Sequence, residues 1–372
     1  MKILVVTHYY NAHGGGVEIV AGNIIQTLLK KENIDITWIA SDVDKPPAVT
    51  SSFRSIPMNA NNYFENKFGV PYPLWGLRSL SKLFKAVKAA DIVHIHDYAY
   101  FGNIAAFCAA KFYKKRIVIT QHIGYIPYKN PIFRIILSCA NRTIGLLMMR
   151  TSFKTVFISE SVRKYFDMNN AYNTLFISNG VDRSLFYPPH ENTRQDIRRK
   201  YSLPENDAVF LFAGRFVEKK GLPILKELAR IFNNVTWIFV GWGAIDPETW
   251  GLKNVRVFRH IDKMKMPDFY RAADLTVLPS VGEGFPLVIQ ESMSCGTPVI
   301  VNREIIDAYP PAENTLFYAD HHKINTWENR LKTLLSDAAL SPDTRRRVAD
   351  FAEQHWNWDK CANAYLSLFT QI

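Results

Sequence analysis

Cysteine is scarce in this chain of 372 residues: Cys108, Cys139, Cys295 and Cys361 stand far apart and form no C-x-x-C. That pattern excludes a disulfide framework and a zinc ribbon, and it suits a reducing compartment. Long hydrophobic runs are missing too. The longest apolar stretch, residues 132–149, is broken by Arg134, Asn141 and Arg142, short of the ~18 to 20 apolar residues a membrane span requires. Lys2 is followed only by Ile3-Leu4-Val5-Val6, too short for a signal-peptide core. These absences predict a cytoplasmic protein. Repeats and low-complexity tracts are lacking, and a composition of 48% hydrophobic and 21% charged residues excludes a disordered chain, a collagen and a coiled coil.

Acidic residues are short in one half only. Residues 1–188 carry 22 Lys and Arg against 11 Asp and Glu, whereas residues 189–372 carry 23 of each. The net charge of +11 therefore lies entirely in the first half, which is expected to meet an anionic partner.

At ~150 residues per domain the length predicts two domains. Short apolar, β-branched runs at 2–7, 36–40, 92–95, 117–120, 155–158 and 175–177 read as strands, as do 209–213, 235–240, 255–258, 275–278 and 298–301. Apolar residues at successive positions mark strands covered on both faces, hence parallel sheets. Helical patterns at 17–30, 74–90 and 222–232 lie between them. Alternating strands and helices predict an α/β protein with two Rossmann-like halves. Residues 182–207, with Pro188-Pro189, a run of charges and Pro204, read as the linker. The last helix is expected at about 338–369.

The sharpest chemical signal is Glu283-Gly284-Phe285-Pro286-Leu287-Val288-Ile289-Gln290-Glu291, just past the strand at 275–278. Pro286 fits the first residue of a helix and Gly296 the residue beyond its end. Glu283 then lies on the loop before that helix, where the amides of Phe285, Leu287 and Val288 suit an oxygen-rich or anionic ligand. Glu291 sits two turns along on about the same face, so two carboxylates line one wall and suit sugar and ribose hydroxyls. The plainer alternative is that Glu283 caps the helix and Glu291 is solvated. A second signal, Gly214-Arg215 followed by Lys219-Lys220-Gly221, places a guanidinium fork and a point charge after a strand, as a pyrophosphate clamp requires; a solvated basic turn is the alternative.

His13-Gly14-Gly15-Gly16-Val17-Glu18 follows the first strand and lets backbone amides approach phosphate oxygens. Gly241-Trp242-Gly243 is a similar loop in the second half. Neither has the third glycine of G-x-G-x-x-G or the end of a P-loop, which argues against a dinucleotide oxidoreductase. His122 follows a strand through Gln121 and is expected to face the ligand cleft, a buried ring satisfied by backbone being the alternative. His94 and His96 alternate on one strand beside Asp97, but a metal site from them lacks a fourth ligand. Asp42-Val43-Asp44 precedes Pro46-Pro47 and reads as a turn.

Residues 283–291, continuing into Ser292-Met293-Ser294-Cys295-Gly296-Thr297-Pro298, resemble the E-x7-E motif of retaining glycosyltransferase family 4. Gly15-Gly16-Val17-Glu18 is similar to that family's G-G-x-E, Gly214-Arg215 with Lys220-Gly221 to its G-R…K-G, and Asn179-Gly180-Val181-Asp182 to its N-G-V-D. The matches run in order along nearly the whole chain. The resemblance implies the GT-B fold: two facing Rossmann-like domains with parallel sheets and a cleft between them. It divides the chain into an acceptor- and membrane-facing domain at 1–187, a nucleotide-sugar domain at 188–354 and a C-terminal helix at 355–372 returning to the first domain.

By the same resemblance, Arg215 and Lys220 stabilise the departing diphosphate, Glu283 contacts the transferred sugar, and His122 lies beside it. Gly15, Gly16, Gly214, Gly243 and the amides from Gly284 and Phe285 through Pro286, Leu287 and Val288 line the donor, while Glu291 takes the ribose. The co-substrate is a nucleotide sugar, with no metal and no resident cofactor. Two stretches depart from the family: Arg259-His260 near the expected base, and Asn302-Arg303-Glu304-Ile305-Ile306-Asp307 in place of a glycine-rich turn.

The basic excess gathers in three segments of the first half. Arg78, Lys82, Lys85 and Lys88 flank Leu77, Leu80, Phe84 and Val87 at helical spacing; Lys111, Lys114, Lys115 and Arg116 follow; an apolar-basic stretch runs over 129–150. Such segments suit an anionic membrane surface, and no nucleic-acid-binding motif accompanies them. The expectation is a peripheral enzyme on the inner face of the membrane, extending a lipid-linked or lipopolysaccharide-type glycan. A nucleotide-sugar epimerase of the same fold, or a non-catalytic sugar- or membrane-binding protein, is the alternative.

Overall fold

Aliphatic residues in unbroken runs form the central strands of two separate sheets. The structure, a computed structural model, describes residues 1–124, 131–166, 173–190, 193–283, 285–320, 323–336 and 338–371. It divides into one unit of Met1–Asn179 with Trp358–Ile372 and another of Gly180–Asn357; the sequence reading puts these boundaries at 187 and 354.

In the first unit the strands are β1 (Lys2–Val6), β2 (Asp35–Ser41), β3 (Phe53–Met58), β4 (Ala60–Asn61), β5 (Leu74–Trp75), β6 (Ile92–His96), β7 (Arg116–Gln121), β8 (Lys154–Phe157) and β9 (Thr174–Phe176). Seven of them form one sheet in the order β3-β2-β1-β6-β7-β8-β9, parallel throughout. β1 and β6 are buried along nearly their whole length because helices cover both faces. The edge strand β3 carries Arg54, Ser55 and Pro57, and an edge is where a strand tolerates proline. β4 and β5 make a small antiparallel pair, so the expected helix at 74–90 begins later, at Leu77–Ala89.

The second unit has β10 (Val209–Arg215), β11 (Thr236–Trp242), β12 (Val255–Phe258), β13 (Leu275–Leu278), β14 (Val299–Asn302) and β15 (Phe317–Ala319). Their order is β12-β11-β10-β13-β14-β15, again all parallel. Strand order reverses direction between β1 and β6 in one unit and between β10 and β13 in the other. In open α/β sheets that reversal opens a crevice at the carboxyl ends of the strands, where ligands bind.

Three expectations need correction. Residues 182–207 are more than a linker: helix Thr193–Lys200 forms there, and its buried Arg198 reaches Asp274 at 2.8 Å and the carbonyls of Pro204, Glu205 and Asp207. The expected last helix is two, Pro342–His355 and Trp358–Thr370, parted where the buried Trp356 leaves helical geometry at ψ +87. The second packs on helix Gly16–Leu28 of the first unit. Pro286 is the capping residue, and its helix starts at Leu287.

Candidate functional site

β10 and β13 are neighbours, so the loops leaving their carboxyl ends meet. The loop after β10 carries Gly214, Arg215 and the short turn Glu218–Lys220. The loop after β13 runs from Pro279 to Pro286 and carries Glu283; Gly284 lies outside the described residues. The loops are stitched where the Val281 N–H donates to the Lys219 carbonyl at 2.9 Å. Lys220 Nζ lies 3.0 Å from Glu283 Oε1, and Lys219 Nζ lies 4.0 Å from it. Burial pushes the Lys219 ammonium pKa down; Glu283 opposes this, while the charges of Lys220 and Arg215 add to it. The three cations and the carboxylate thus share one electrostatic neighbourhood.

Phe285 is buried against Tyr309 and Trp356, with ring centroids at 4.9 and 5.5 Å. Its side chain anchors the loop, which leaves only its backbone for a ligand. From there helix Leu287–Ser294 starts, and the first amides of any helix lack intrahelical partners, so Leu287 and Val288 keep the expected position. Gly296 follows the helix at φ +74, as expected. Glu291 accepts a hydrogen bond from the Tyr270 hydroxyl at 2.8 Å. Burial raises its carboxyl pKa, against the lowering effect of Tyr270 and of Lys263. Glu291 is therefore held by the protein, not freely solvated.

The departing segment 302–307 proves to support this loop. Glu304 Oε1 accepts from the Gly282 N–H at 2.6 Å, and Asn302 Nδ2 reaches the Ser280 carbonyl at 3.4 Å. Sequence reasoning missed Glu304, because nothing local marks a side chain that reaches 22 positions back. Arg259 pairs with Asp246 and, at 3.1 Å, Glu248, so its charge is met inside the unit. Gly243, at φ +157, is glycine for the protein's own sake: a Cβ there would lie 2.4 Å from the Phe216 carbonyl oxygen.

In the first unit Gly15 and Gly16 stand past the carboxyl end of β1, and His96 and His122 at and past those of β6 and β7. Gly15 and Gly16 begin helix Gly16–Leu28. A Cβ on Gly15 would lie 2.2 Å from Glu18 Oε2, whereas one on Gly16 would meet nothing within 4 Å. Gly15 thus makes room for Glu18, and Gly16 leaves open space for a ligand to approach backbone. Glu18 is itself buried and pairs with His8 at 2.7 Å. Burial works against its charge, but His8 prevails and the carboxyl sits below its usual range.

His122 is 5% exposed, and its Nε2 lies 3.0 Å from His96 Nδ1. Burial is the main cause that brings its pKa down to about 3, which keeps the ring neutral. His94 Nε2 is engaged by Thr120 Oγ1 at 2.8 Å, and that hydroxyl also meets Tyr365 at 2.9 Å. Among the described residues no three His, Cys, Asp or Glu are grouped to hold a metal ion. Asp42 caps Ala60 N–H at 3.0 Å and Asp44 pairs with His13 at 2.9 Å, so the D-x-D is a structural turn. Asp182 likewise closes a turn onto Ser184.

Two family descriptions match successive parts of the chain: Glycosyltransferase Family 4 over residues 14–185 and Glycosyl transferases group 1 over residues 193–355. The chain is a member of glycosyltransferase family 4. It is 28% identical over 226 residues to the D-inositol 3-phosphate glycosyltransferase of Xylanimonas cellulosilytica, 52% of this chain and 50% of that one. The chain thus spans about half the length of that curated relative. The fold resembles sucrose-phosphate synthase from Thermosynechococcus elongatus over 100% of this chain and 98% of that one, with a TM-score of 0.78 at 18% identity. It also resembles Anabaena HepE in complex with UDP and glucose, at a TM-score of 0.74, 17% identity and full coverage of both chains. Such likeness gives the GT-B architecture of two parallel-sheet, Rossmann-like domains.

Proposed function

We propose that this protein is a retaining glycosyltransferase that moves a hexosyl group from a UDP- or GDP-sugar to a lipid-linked or lipopolysaccharide- or exopolysaccharide-type glycan. The observation that carries the reading is the Glu283–Lys220 contact, 3.0 Å, beside Lys219 and Arg215 at the crevice of the second sheet. A carboxylate suits the hydroxyls of a sugar, and clustered cations suit a diphosphate leaving group. In the reaction the bond from the anomeric carbon to the diphosphate oxygen breaks. A bond to the acceptor oxygen forms on the same face, and the acceptor's proton passes to a diphosphate oxygen. Arg215 and Lys220 offset the charge that gathers on the diphosphate. Glu283 orients the sugar and Glu291 the ribose, while the amides of Phe285, Leu287 and Val288 donate to sugar oxygens. Gly16 and a neutral His122 are assigned to donor binding as well.

The test is binding and turnover with UDP- and GDP-hexoses. Saturable stabilisation by one series, with slow release of the nucleoside diphosphate, is expected. Silence toward both series overturns the reading, and conversion to a new nucleotide sugar without release of the diphosphate marks an epimerase instead.

The acceptor side is assigned to an anionic membrane at the cytoplasmic face. Between Glu65 and Glu160 there are fourteen Lys and Arg but two acids, Asp91 and Asp97, and Asp97 is buried. The helical stretch from Pro131 to Thr151 exposes Ile135, Ile136 and Leu147, with Arg134, Arg142 and Arg150 exposed beside them. Lys129, at the start of the basic stretch, lies outside the described residues. Lys111 of the neighbouring helix bonds the Thr151 carbonyl, which joins two of the basic segments into one surface. No described helix is long and apolar enough to cross a membrane, so attachment rests on this face. At ~1 kcal/mol per basic residue near the lipid, sedimentation with vesicles containing phosphatidylserine is expected at low salt. Leu147→Asp with Ile136→Asp is expected to weaken it at least about tenfold; unchanged binding would remove this face from the proposal.

A further inference from the structure

The carboxyl of Asp97 is buried, with 1% of the residue exposed, and the reaction just described gives it no task. It follows β6 directly, in a left-handed conformation at φ +61. Backbone there is costly for a residue with a Cβ and is kept only where the surroundings enforce it. They do: the Asp97 N–H donates to the Thr120 carbonyl at 2.8 Å, and Asn103 Nδ2 donates to the carbonyls of His96 and Asp97 at 2.6 and 2.7 Å. This conformation turns the carboxyl onto the end of β7. Its Oδ1 accepts from the backbone N–H of His122 at 2.7 Å and of Ile123 at 3.2 Å. Its Oδ2 is buried and has no partner.

We propose that Asp97 is a positioning residue for catalysis: it latches the two amides past β7 and so fixes where the His122 ring lies. The inference rests on His122 being a donor contact, as read above. A strand's carboxyl end otherwise leaves the following amides to water or to a loop that can move. Here one buried oxygen takes both, and His96, the residue before Asp97, holds the imidazole itself at 3.0 Å. His122 is thereby fixed through its backbone and its ring by two consecutive residues of one neighbouring strand end. A displacement of the order of 1 Å of a group that contacts substrate costs about a hundredfold in rate, so the latch has a kinetic consequence and not only a structural one.

Asp97→Gly tests this, since glycine keeps the left-handed backbone at no steric cost while deleting the carboxyl. It is expected to fold, with unchanged secondary structure, and to lose about thirtyfold in kcat with the donor KM within about threefold of normal. Asp97→Asn keeps an oxygen for both amides and is expected to restore kcat to within about threefold. Because Asp97 acts through His122, Asp97→Gly with His122→Ala should be no slower than His122→Ala alone. Losses that multiply in the double variant, or an Asp97→Gly enzyme with normal kcat, overturn the latch. Normal turnover by His122→Ala instead removes the donor role of His122, and the proposal falls with that reading; the two failures are told apart by the single variants.

Discussion

Replacing Lys220 by alanine is expected to lower kcat for sugar transfer about a thousandfold, equivalent to about 4 kcal/mol of transition-state stabilisation. In the ground state the ammonium is already compensated by Glu283 at 3.0 Å, so little is gained before the bond breaks. On the proposed reaction, the charge of the departing diphosphate develops beside Lys220 and Arg215, and the ammonium's attraction rises with it. The Lys220 side chain is also the less exposed of the two, 16% against 38% for Lys219, and its Nζ lies at 3.0 Å from Glu283 against 4.0 Å, so it is the better placed of the pair. Lys219→Ala is expected to cost only about tenfold. Steady-state kinetics on both variants, with circular dichroism to confirm the fold, decides it. Lys220→Ala within tenfold of the parent, or a smaller loss there than at Lys219, would sink the assignment of the leaving-group clamp.

The strands of this protein were legible because most central strands of a parallel sheet are apolar at every position. β12 and β13, Val255–Phe258 and Leu275–Leu278, match the expected bounds. The strands missed are edges or short pairs. β3 mixes Arg54 and Ser55 with Pro57, and β15 is three residues long, so neither carries a periodic signal. The break at Trp356-Asn357 was missed because the apolar spacing runs on through it, while the interruption comes from Trp356 turning into a cluster with Phe285 and Tyr309.

The candidate site divides along the same line. Arg215 ends β10, and Lys220 and Glu283 each stand five positions past a strand, β10 and β13, so strand position alone brings them to the carboxyl ends of neighbouring strands. Glu304 and Asp97 act across 22 and 25 positions of chain, and only the pairing of strands brings them to the loops they hold. The glycines sort differently again. Gly16 faces open space, but Gly15 and Gly243 are required by Glu18 and by the Phe216 backbone, which no reading of a glycine-rich run distinguishes.

Acid is expected to destabilise the first unit before the second, because the first hides neutral imidazoles under its crevice. Burial brings His94 and His122 to about 3, and His96 moves in the same direction. Each unfolds to a ring with a pKa of 6.5. A group whose folded pKa is depressed in this way costs no stability above 6.5 and costs progressively more as pH falls toward 3. At pH 4.5 each of the two rings costs about 3 kcal/mol. Asp97 works in the opposite sense. Burial raises it from 3.8 to about 7, the nearby Glu18 adding to this while the His122 and Ile123 amides lower it. Its contribution is therefore full below 3.8 and is lost as pH rises through 7, so acidification from 7 to 4.5 returns about 3 kcal/mol. Glu18, held below its usual range beside His8, adds a further loss in acid. The net result is a fall of several kcal/mol, a large share of the roughly 5–15 kcal/mol that holds a domain folded. Urea unfolding at pH 7 and 4.5, with hydrogen exchange to locate the unit that opens, measures it. His94→Gln is expected to flatten the decline and Asp97→Asn to steepen it, because the first removes an acid-sensitive group and the second removes the group that opposes it. A first unit equally stable at both pH values would mean that the three rings are not neutral in the folded protein.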